Sequence, residues 1–415
     1  MNTVLVVGAG AAGIMAAVAA AEAGAKVELF EKNDIVGKKM GITGKGRCNI
    51  TNAAPIGDFI SYTPGNGKFL FSAYRQFSNE DLLEKLHGWG LETKVERGGR
   101  VFPRSDSAVE VRKLLYFKLR DIGAGIRFKE SVTSVYTDGG RWFVRTGKGR
   151  YEGDAVIITT GGMSYPATGS TGDGYAFARS QGHTVTDLKA SLVPFTSPDK
   201  WVHELSGVSL KNVEAALWKG KKKIGSRFGE MLFTHFGVSG PIILTLSTAA
   251  AHNRKAEFPM ELSINLKPAL SEEKLVHRLE RDFEIYGRRQ MEKAMKDVLP
   301  RRLIPVVLAQ ANVSPDLPAC RLSGAGRLQI AQALQNLRLT VSGTRPVAEA
   351  VVTAGGVKVA EITPQTMESK LVPGLYFAGE VIDIDAFTGG YNLQAAFSTG
   401  YVAGRAAAVK EMRDG

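Results

Sequence analysis

The opening residues leave this chain little choice of fold. Thr3-Val4-Leu5-Val6-Val7 is a continuous apolar run. It is followed by Gly8-Ala9-Gly10-Ala11-Ala12-Gly13, an alanine-rich stretch to Ala23, and Lys26-Val27-Glu28-Leu29-Phe30-Glu31. The order reads as strand, glycine turn, helix, strand and acid. Gly8 permits the tight bend after the strand, Gly10 removes a side chain so that backbone can approach a pyrophosphate, and Gly13 lets the helix pack close to the sheet. The helix N-terminus offers unpaired N–H groups and a positive dipole end to phosphates. Glu31 follows Gly13 by 18 residues and is placed to accept hydrogen bonds from both hydroxyls of a ribose. A buried parallel strand with a glycine-rich turn is the plainer alternative, and it leaves Glu31 unexplained.

The run Val4–Ala21 carries no charge, yet it falls short of the ~20 apolar residues a membrane span needs, and its glycines keep motif spacing. No basic segment precedes it, which speaks against a signal peptide. At 415 residues, two or three domains are expected. The two cysteines, Cys48 and Cys320, form neither a CxxC pair nor a zinc spacing. That argues against a local redox dithiol and against a metal site, and it fits a reducing, cytoplasmic setting. A net charge of +12 favours an anionic partner, nucleic acid above all.

Between Gly37 and Asn52, glycines alternate with cations: Gly37-Lys38-Lys39-Met40-Gly41-Ile42-Thr43-Gly44-Lys45-Gly46-Arg47-Cys48-Asn49. Such a loop suits the wrapping of an anionic cofactor by amides and positive side chains; a solvated basic loop is the alternative. Asn79–His87 and Ala108–Leu119 read as helices. Arg97–Arg104 is a compact basic turn that either faces substrate or forms a surface hairpin. Ser131–Tyr136 and Arg141–Thr146 form a hairpin around Asp138-Gly139-Gly140. Asp154–Gly162 is a buried strand ending in small residues that returns beside the first, and Gly169–Gly174 opens a helix to Ser180.

From Val193 to Leu266 short alternating runs predict a small antiparallel barrel or sandwich, interrupted by Gly229–Pro241. His235 lies in that interruption in aromatic company, which reads first as a packed histidine and second as a proton donor. Pro268 to about Gln335 is helical. Residues 193–344 carry 22 basic and 14 acidic side chains, a net +8. Lys219, Lys221, Lys222, Lys223 and Arg227 cluster, as do Arg288, Arg289, Arg301 and Arg302. A solvated face explains each cluster alone; together they point to an RNA-facing insert. After Arg345, Ala350–Val357 and Gly374–Asp383 read as buried strands. Gly389-Gly390-Tyr391-Asn392-Leu393 then starts a last helix.

The expected fold class is therefore α/β: a Rossmann-like domain made from both chain ends (1–192 and 345–415). Inserted into it are an antiparallel β-barrel (193–267 and 336–344) and a small helical subdomain (268–335). A cofactor that touches both chain ends is FAD rather than NAD. Its adenosine end belongs at Gly8–Glu31 and its isoalloxazine at Gly389–Leu393, where a helix dipole favours the reduced ring.

These motifs carry a resemblance to a known family. Gly8–Gly13, Gly44–Asn52, Gly229–Pro241, Thr353–Val357 and Gly374–Asn392 are similar to those of the BaiN/RdsA-like FAD-dependent oxidoreductases, over nearly the whole chain. The resemblance implies an FAD domain with a barrel-plus-helical insert. It also implies one of three activities: reduction of a conjugated double bond in oxo-bile acids, oxidation of aminoacetone, or reduction of a uridine in large-subunit ribosomal RNA to dihydrouridine. The expected cofactor contacts are Gly8, Gly10, Ala11, Ala12, Gly13, Glu31, Lys32, Lys39, Thr43, Gly44, Gly46, Arg47, Cys48, Asn49, Val132, Thr160, Gly161, Gly379, Glu380, Gly390, Tyr391, Asn392 and Leu393. Cys48 and His235 are the candidate catalytic residues, and Arg100, Arg104, Lys222 and Lys223 the candidate substrate contacts. No second Rossmann unit is visible, so NAD(P)H as electron donor is expected to use the flavin's open face in turn with the substrate. The favoured partner is ribosomal RNA, then a small-molecule substrate, with no membrane.

Overall fold

The structure, a computed structural model, describes residues 1–253 and 257–409. It divides into two compact units, Met1–Ser191 with Val347 onward, and Leu192–Pro346.

The chain starts with β1 (Thr3–Val7), α1 (Ala11–Glu22) and β2 (Lys26–Glu31). β3 (Thr51–Asn52), β4 (Thr93–Glu96) and β5 (Arg100–Pro103) form a small antiparallel sheet with β5 in the middle. Helices α2 (Asn79–Gly88) and α3 (Ala108–Asp121) flank it in sequence. β6 (Gly125–Phe128) leads to a three-stranded meander of β7 (Val132–Asp138), β8 (Arg141–Thr146) and β9 (Gly149–Gly153). β10 (Ala155–Ile158), α4 (Asp173–Ser180) and β11 (Lys189–Ser191) complete this part of the first unit.

The second unit contains β12 (Phe195–Thr196), β13 (Ser209–Lys219), β14 (Lys222–Thr234), β15 (Gly237–Ser239) and α5 (Pro241–Ala251). β16 (Met260–Asn265), α6 (Glu272–Tyr286), α7 (Gly324–Gln335), β17 (Leu337–Val341) and β18 (Gly343–Thr344) follow. Its seven strands run in the order β17-β16-β13-β14-β15-β12-β18. The expected closed barrel is not what the pairing shows. The terminal strands of the sheet, β17 and β18, are consecutive in the chain on either side of Ser342, and each pairs on one side only. The apolar face does not need full strand closure, because α5, α6 and α7 bury Leu246, Leu275, Leu279, Phe283 and Ile330 in the same core as Leu217, Leu262 and Ile264. Gly229–Thr234 does not interrupt the sheet either; it is the second half of β14, and the motif continues through β15 into α5.

The chain then returns to the first unit with β18's successor β19 (Val352–Ala354), β20 (Leu375–Phe377) and α8 (Tyr391–Ala408). β20 joins a five-stranded parallel sheet in the order β20-β10-β1-β2-β6. Such a sheet is buried on both faces, which is why β1 and β10 are almost wholly apolar. β19 is different: it pairs antiparallel with β11 outside that sheet. The strand expected over Ala350–Val357 stops after three residues because a Cβ on Gly355 would lie 2.2 Å from the Asp187 carbonyl, so the backbones cross there at close range.

α1 is hydrophobic on nearly every side, with Ile14, Met15 and Val18 fully buried. A helix of that kind must be covered all round, and α8 supplies the cover. Cβ atoms built on Gly400 and Gly404 would each come within 2.2 Å of a carbonyl oxygen of α1, those of Ala12 and Ala16. The two helices touch backbone to backbone at these points. Gly400→Ala and Gly404→Ala are therefore each expected to destabilise the protein by about 1–3 kcal/mol through overpacking, read as a lower urea midpoint. Unchanged midpoints would contradict this packing.

Candidate functional site

A cleft in the first unit lies at the C-terminal ends of β1, β10 and β20, and both chain ends line it. At its N-terminal side β1 runs into Gly8, whose φ of +100° makes the bend. A Cβ on Gly13 would sit 1.8 Å from the Gly8 carbonyl, so any side chain there breaks the turn itself. Gly10 differs: a Cβ there meets nothing within 4 Å, and its own φ of −78° suits any residue. Its missing side chain serves the cleft rather than the fold. No side chain caps the first turn of α1, so its N–H groups face a cleft lined by Gly10, Ala11 and Ala12.

Glu31 is buried at the end of β2. Its Oε2 accepts from the Ala9 N–H (2.9 Å), and its Oε1 accepts from the Asn33 N–H (2.8 Å) and the Asn33 side chain (2.7 Å). The carboxylate thus fixes the glycine turn, and Oε2 keeps one lone pair for a further donor. This corrects the expectation of two ribose bonds: there is room for one at full strength. Lys32 is held by Thr171 and Asp173. Lys39 pairs with Glu380 at 2.7 Å and also reaches Ser164; Glu380 in turn accepts from Ser164 (3.0 Å) and the Thr353 N–H (2.9 Å). Thr43, Val132, Thr160, Gly161 and Gly379 line the same cleft. The Thr160 hydroxyl is buried with no protein partner.

At the other side of the cleft, α8 begins after Gly390, whose φ is +102° and whose Cβ would lie 2.2 Å from the Thr51 carbonyl. With its oxygen turned towards Gly390, the Asn49 amide accepts from the Gly390 N–H (2.9 Å) and donates to Thr51 O (3.1 Å) and Val101 O (3.2 Å). Asn392 closes a loop: its amide donates to Ala386 O (2.7 Å) and accepts from Ala386 N (2.8 Å). Tyr391 stacks on Tyr62 at 4.4 Å and meets Phe59 edge-on, and burial pushes its phenol pKa up. Asn49, Gly390 and Tyr391 therefore position the start of α8, while Asn392 and Leu393 line the cleft.

Several expected site residues lie elsewhere. Arg47 stacks over Phe102 at 4.0 Å and pairs with Glu96 (2.7 Å), with Gly44 packed on the same ring. The 44–48 loop thus clasps the β5 hairpin, and Gly44, Gly46, Arg47 and Cys48 fall outside the cleft lining. Arg100 pairs with Glu96 at 3.6 Å and Arg104 with Glu92 at 3.2 Å, which makes Arg97–Arg104 an ion-paired surface hairpin. Lys222 and Lys223 are exposed at the tip of β13–β14, and His235 is exposed on the turn between β14 and β15, beside Phe236 (4.9 Å), rather than packed.

Sequence reasoning missed Glu130, Ser164 and Thr353. Glu130 is buried on the cleft wall. Desolvation alone would raise its pKa, but bonds from Tyr151 and Thr146 and the charge of Lys148 hold it below the ordinary carboxylate value. Its partners come from β8 and β9, so no local pattern marks it. Thr353 stood inside a recognised motif, two residues before Gly355-Gly356, and that was the available signal.

The cleft fits FAD on this structure's own terms. Two long helices, α1 and α8, open into it without side-chain caps, and the backbone at Gly10 is bare. Cys48 is fully buried and desolvation pushes its pKa up to about 12, so it is a neutral thiol at physiological pH and no nucleophile. Titration of the native protein with a thiol reagent is expected to count only the exposed Cys320, and both cysteines after unfolding; rapid reaction of Cys48 in the native state would contradict its burial.

The HI0933-like protein Rossmann domain family matches residues 2–406. The chain is 33% identical to the 3-dehydro-bile acid delta(4,6)-reductase of Clostridium scindens, over 98% of this chain and 99% of that one. It is 31% identical to the ribosomal RNA dihydrouridine synthase of Escherichia coli K12, over 96% of each chain. Among solved structures it is similar to the 3-ketosteroid-delta4-(5alpha)-dehydrogenase of Rhodococcus jostii RHA1, with a TM-score of 0.54 and 16% identity over 99% of this chain and 97% of that one; this likeness is one of fold. The chain belongs to the HI0933-like family, the FAD-dependent oxidoreductases whose glycine motifs its own resemble.

Proposed function

We propose that this protein uses bound FAD to reduce an enone-like C=C bond, and that its substrate is a uridine of large-subunit ribosomal RNA. One observation carries the choice of RNA: an insert of net charge +8 within a chain of net charge +12. A small neutral or anionic metabolite does not call for a domain-wide excess of cations, whereas a polyphosphate backbone does. The relatives from Escherichia coli and Haemophilus influenzae, both ribosomal RNA dihydrouridine synthases, support the same reading. The second reading is a small-molecule ene-reductase, favoured by the 33% identity to the bile-acid reductase.

When bound, FAD supplies the hydride for the β-carbon of the conjugated system, with NAD(P)H as the proposed source of electrons. The protein's own groups do the rest. The bare backbone at Gly10 and the open N–H groups of Ala11 and Ala12 hold the pyrophosphate. The remaining lone pair of Glu31 would take a ribose hydroxyl. Lys39 is oriented by Glu380 and Ser164, so it presents a fixed positive charge to the cleft. The N-terminus of α8 adds a positive dipole end beside Asn392 and Leu393, which would favour an anionic edge of the group held there.

Gly10→Ala separates fold from cofactor. The new methyl meets nothing within 4 Å of the protein, so the thermal midpoint of the apoprotein is expected to stay within a degree or two, while FAD affinity falls at least about tenfold. Equal retention of the absorbance at about 450 nm by both proteins would contradict the pyrophosphate assignment. For the substrate, mass mapping of large-subunit rRNA from a deletion strain is expected to lose one dihydrouridine. Unchanged dihydrouridine would remove the RNA reading and leave the ene-reductase.

A further inference from the structure

Four strands of the second unit, β17-β16-β13-β14, have one apolar and one wet face. Directly paired residues share a face. Leu217, Leu262 and Leu339 therefore point into the core together, and Trp218, Glu261 and Thr340 point the other way. The wet face also carries Ala216, Ser226 and Ser263 in one row, and Glu214, Phe228 and Asn265 in the next. Phe228 is 62% exposed, although its strand neighbours Gly225 and Gly229 are covered by Leu246 and Ile242 of α5 on the opposite face. Phe228 takes no part in the apolar core on the other face, so its ring is open to a partner.

Trp218 stands four residues along β13 from Glu214, the partner of Phe228, so their backbone positions are about 13 Å apart along one face. Between them lie the small residues Ala216, Ser226 and Ser263, with Ala216 covered and the indole resting against Ser263. The indole is fixed by a 2.9 Å bond from its N–H to Ser263 Oγ. The ribbon ends in Lys219-Gly220-Lys221-Lys222-Lys223, with Lys223 Nζ 5.9 Å from the Trp218 ring centre. Among the described residues, Lys221, Lys222 and Lys223 have no carboxylate partner, and all three are exposed. Arg338 at the far edge is paired with Glu261 (2.9 Å).

We propose that this wet face and its lysine tip form a docking platform for a single-stranded RNA segment, with bases stacked on Phe228 and Trp218 and phosphates along Lys221, Lys222 and Lys223. The inference rests on the RNA reading above and gives it a surface. Two aromatic rings on one face of a sheet, with cations at one end, are the elements that hold single strands without sequence preference. A second copy of this chain is the competing occupant; three unpaired lysines at the contact would repel their counterparts in it, whereas a phosphate backbone neutralises them.

The test is fluorescence anisotropy of a labelled oligouridylate of about twelve nucleotides with the full-length FAD-loaded protein. Phe228→Ala is expected to weaken binding roughly tenfold. The triple variant Lys221→Ala, Lys222→Ala, Lys223→Ala is expected to make the slope of log affinity against log salt shallower by about two. Both should keep the flavin absorbance of the parent, since neither lies in the cofactor cleft. Absence of oligouridylate binding by the parent, or parent-like affinity and salt slope in both variants, would overturn the proposal. So would a parent dimer that dissociates on Phe228→Ala. If these dependences hold but the deletion strain keeps all its rRNA dihydrouridine, the platform stands and the uridine-reduction reading falls. If the strain loses one dihydrouridine and both variants fully restore it with parent-like binding, the platform alone falls.

Discussion

The close approach of the first and last helices is the constraint on which the rest of the first unit depends. Gly400 and Gly404 of α8 lie on the Ala12 and Ala16 carbonyls of α1, at a separation that no side chain allows. That contact buries the apolar residues of α1, and Ile14, Met15 and Val18 each contribute about 1.5–3 kcal/mol through burial. It also aligns two helix N-termini from opposite ends of the chain on one cleft. Thr399 reinforces the arrangement, since its hydroxyl accepts from the Gly379 N–H at 3.0 Å and so ties α8 to the turn after β20.

The charges follow from that arrangement. Uncapped helix starts favour anions, and the cleft wall adds Lys39 held by Glu380. Buried acids on the wall are used as scaffolding: Glu31 fixes the glycine turn through Ala9 and Asn33, and Glu130 is satisfied by Thr146 and Tyr151. The inserted unit carries a charge and an aromatic display of its own. Relatives of this chain are named for a bile acid in one case and for a ribosomal RNA in another.

The parallel sheet, its first crossover and the return of the C-terminal strand were legible because each is announced by local pattern: apolar runs, spaced glycines and an acid at the right distance. That Gly8, Gly10, Ala11, Ala12, Lys39, Glu380, Asn392 and Leu393 line one cleft was legible from the same kind of motif. What escaped was decided by long-range geometry. The basic loop at 44–48 has the composition of an anion cradle, yet Glu96 and Phe102, some fifty residues on in the chain, claim Arg47. His235 sits among apolar neighbours in sequence and is exposed in space, because a two-residue turn between β14 and β15 puts it at a tip. Barrel closure is another such case, since strand alternation alone does not tell whether a sheet ends by meeting itself or by handing its apolar face to helices.

The account's central claim is that both chain ends build one cofactor cradle. Amide hydrogen exchange, with and without FAD, tests it most directly. Slowed exchange on FAD addition is predicted at two separated stretches at once, residues 8–14 and 390–396, with the tip of β13–β14 unaffected. Protection confined to the N-terminal stretch, with the start of α8 exchanging as before, would contradict it.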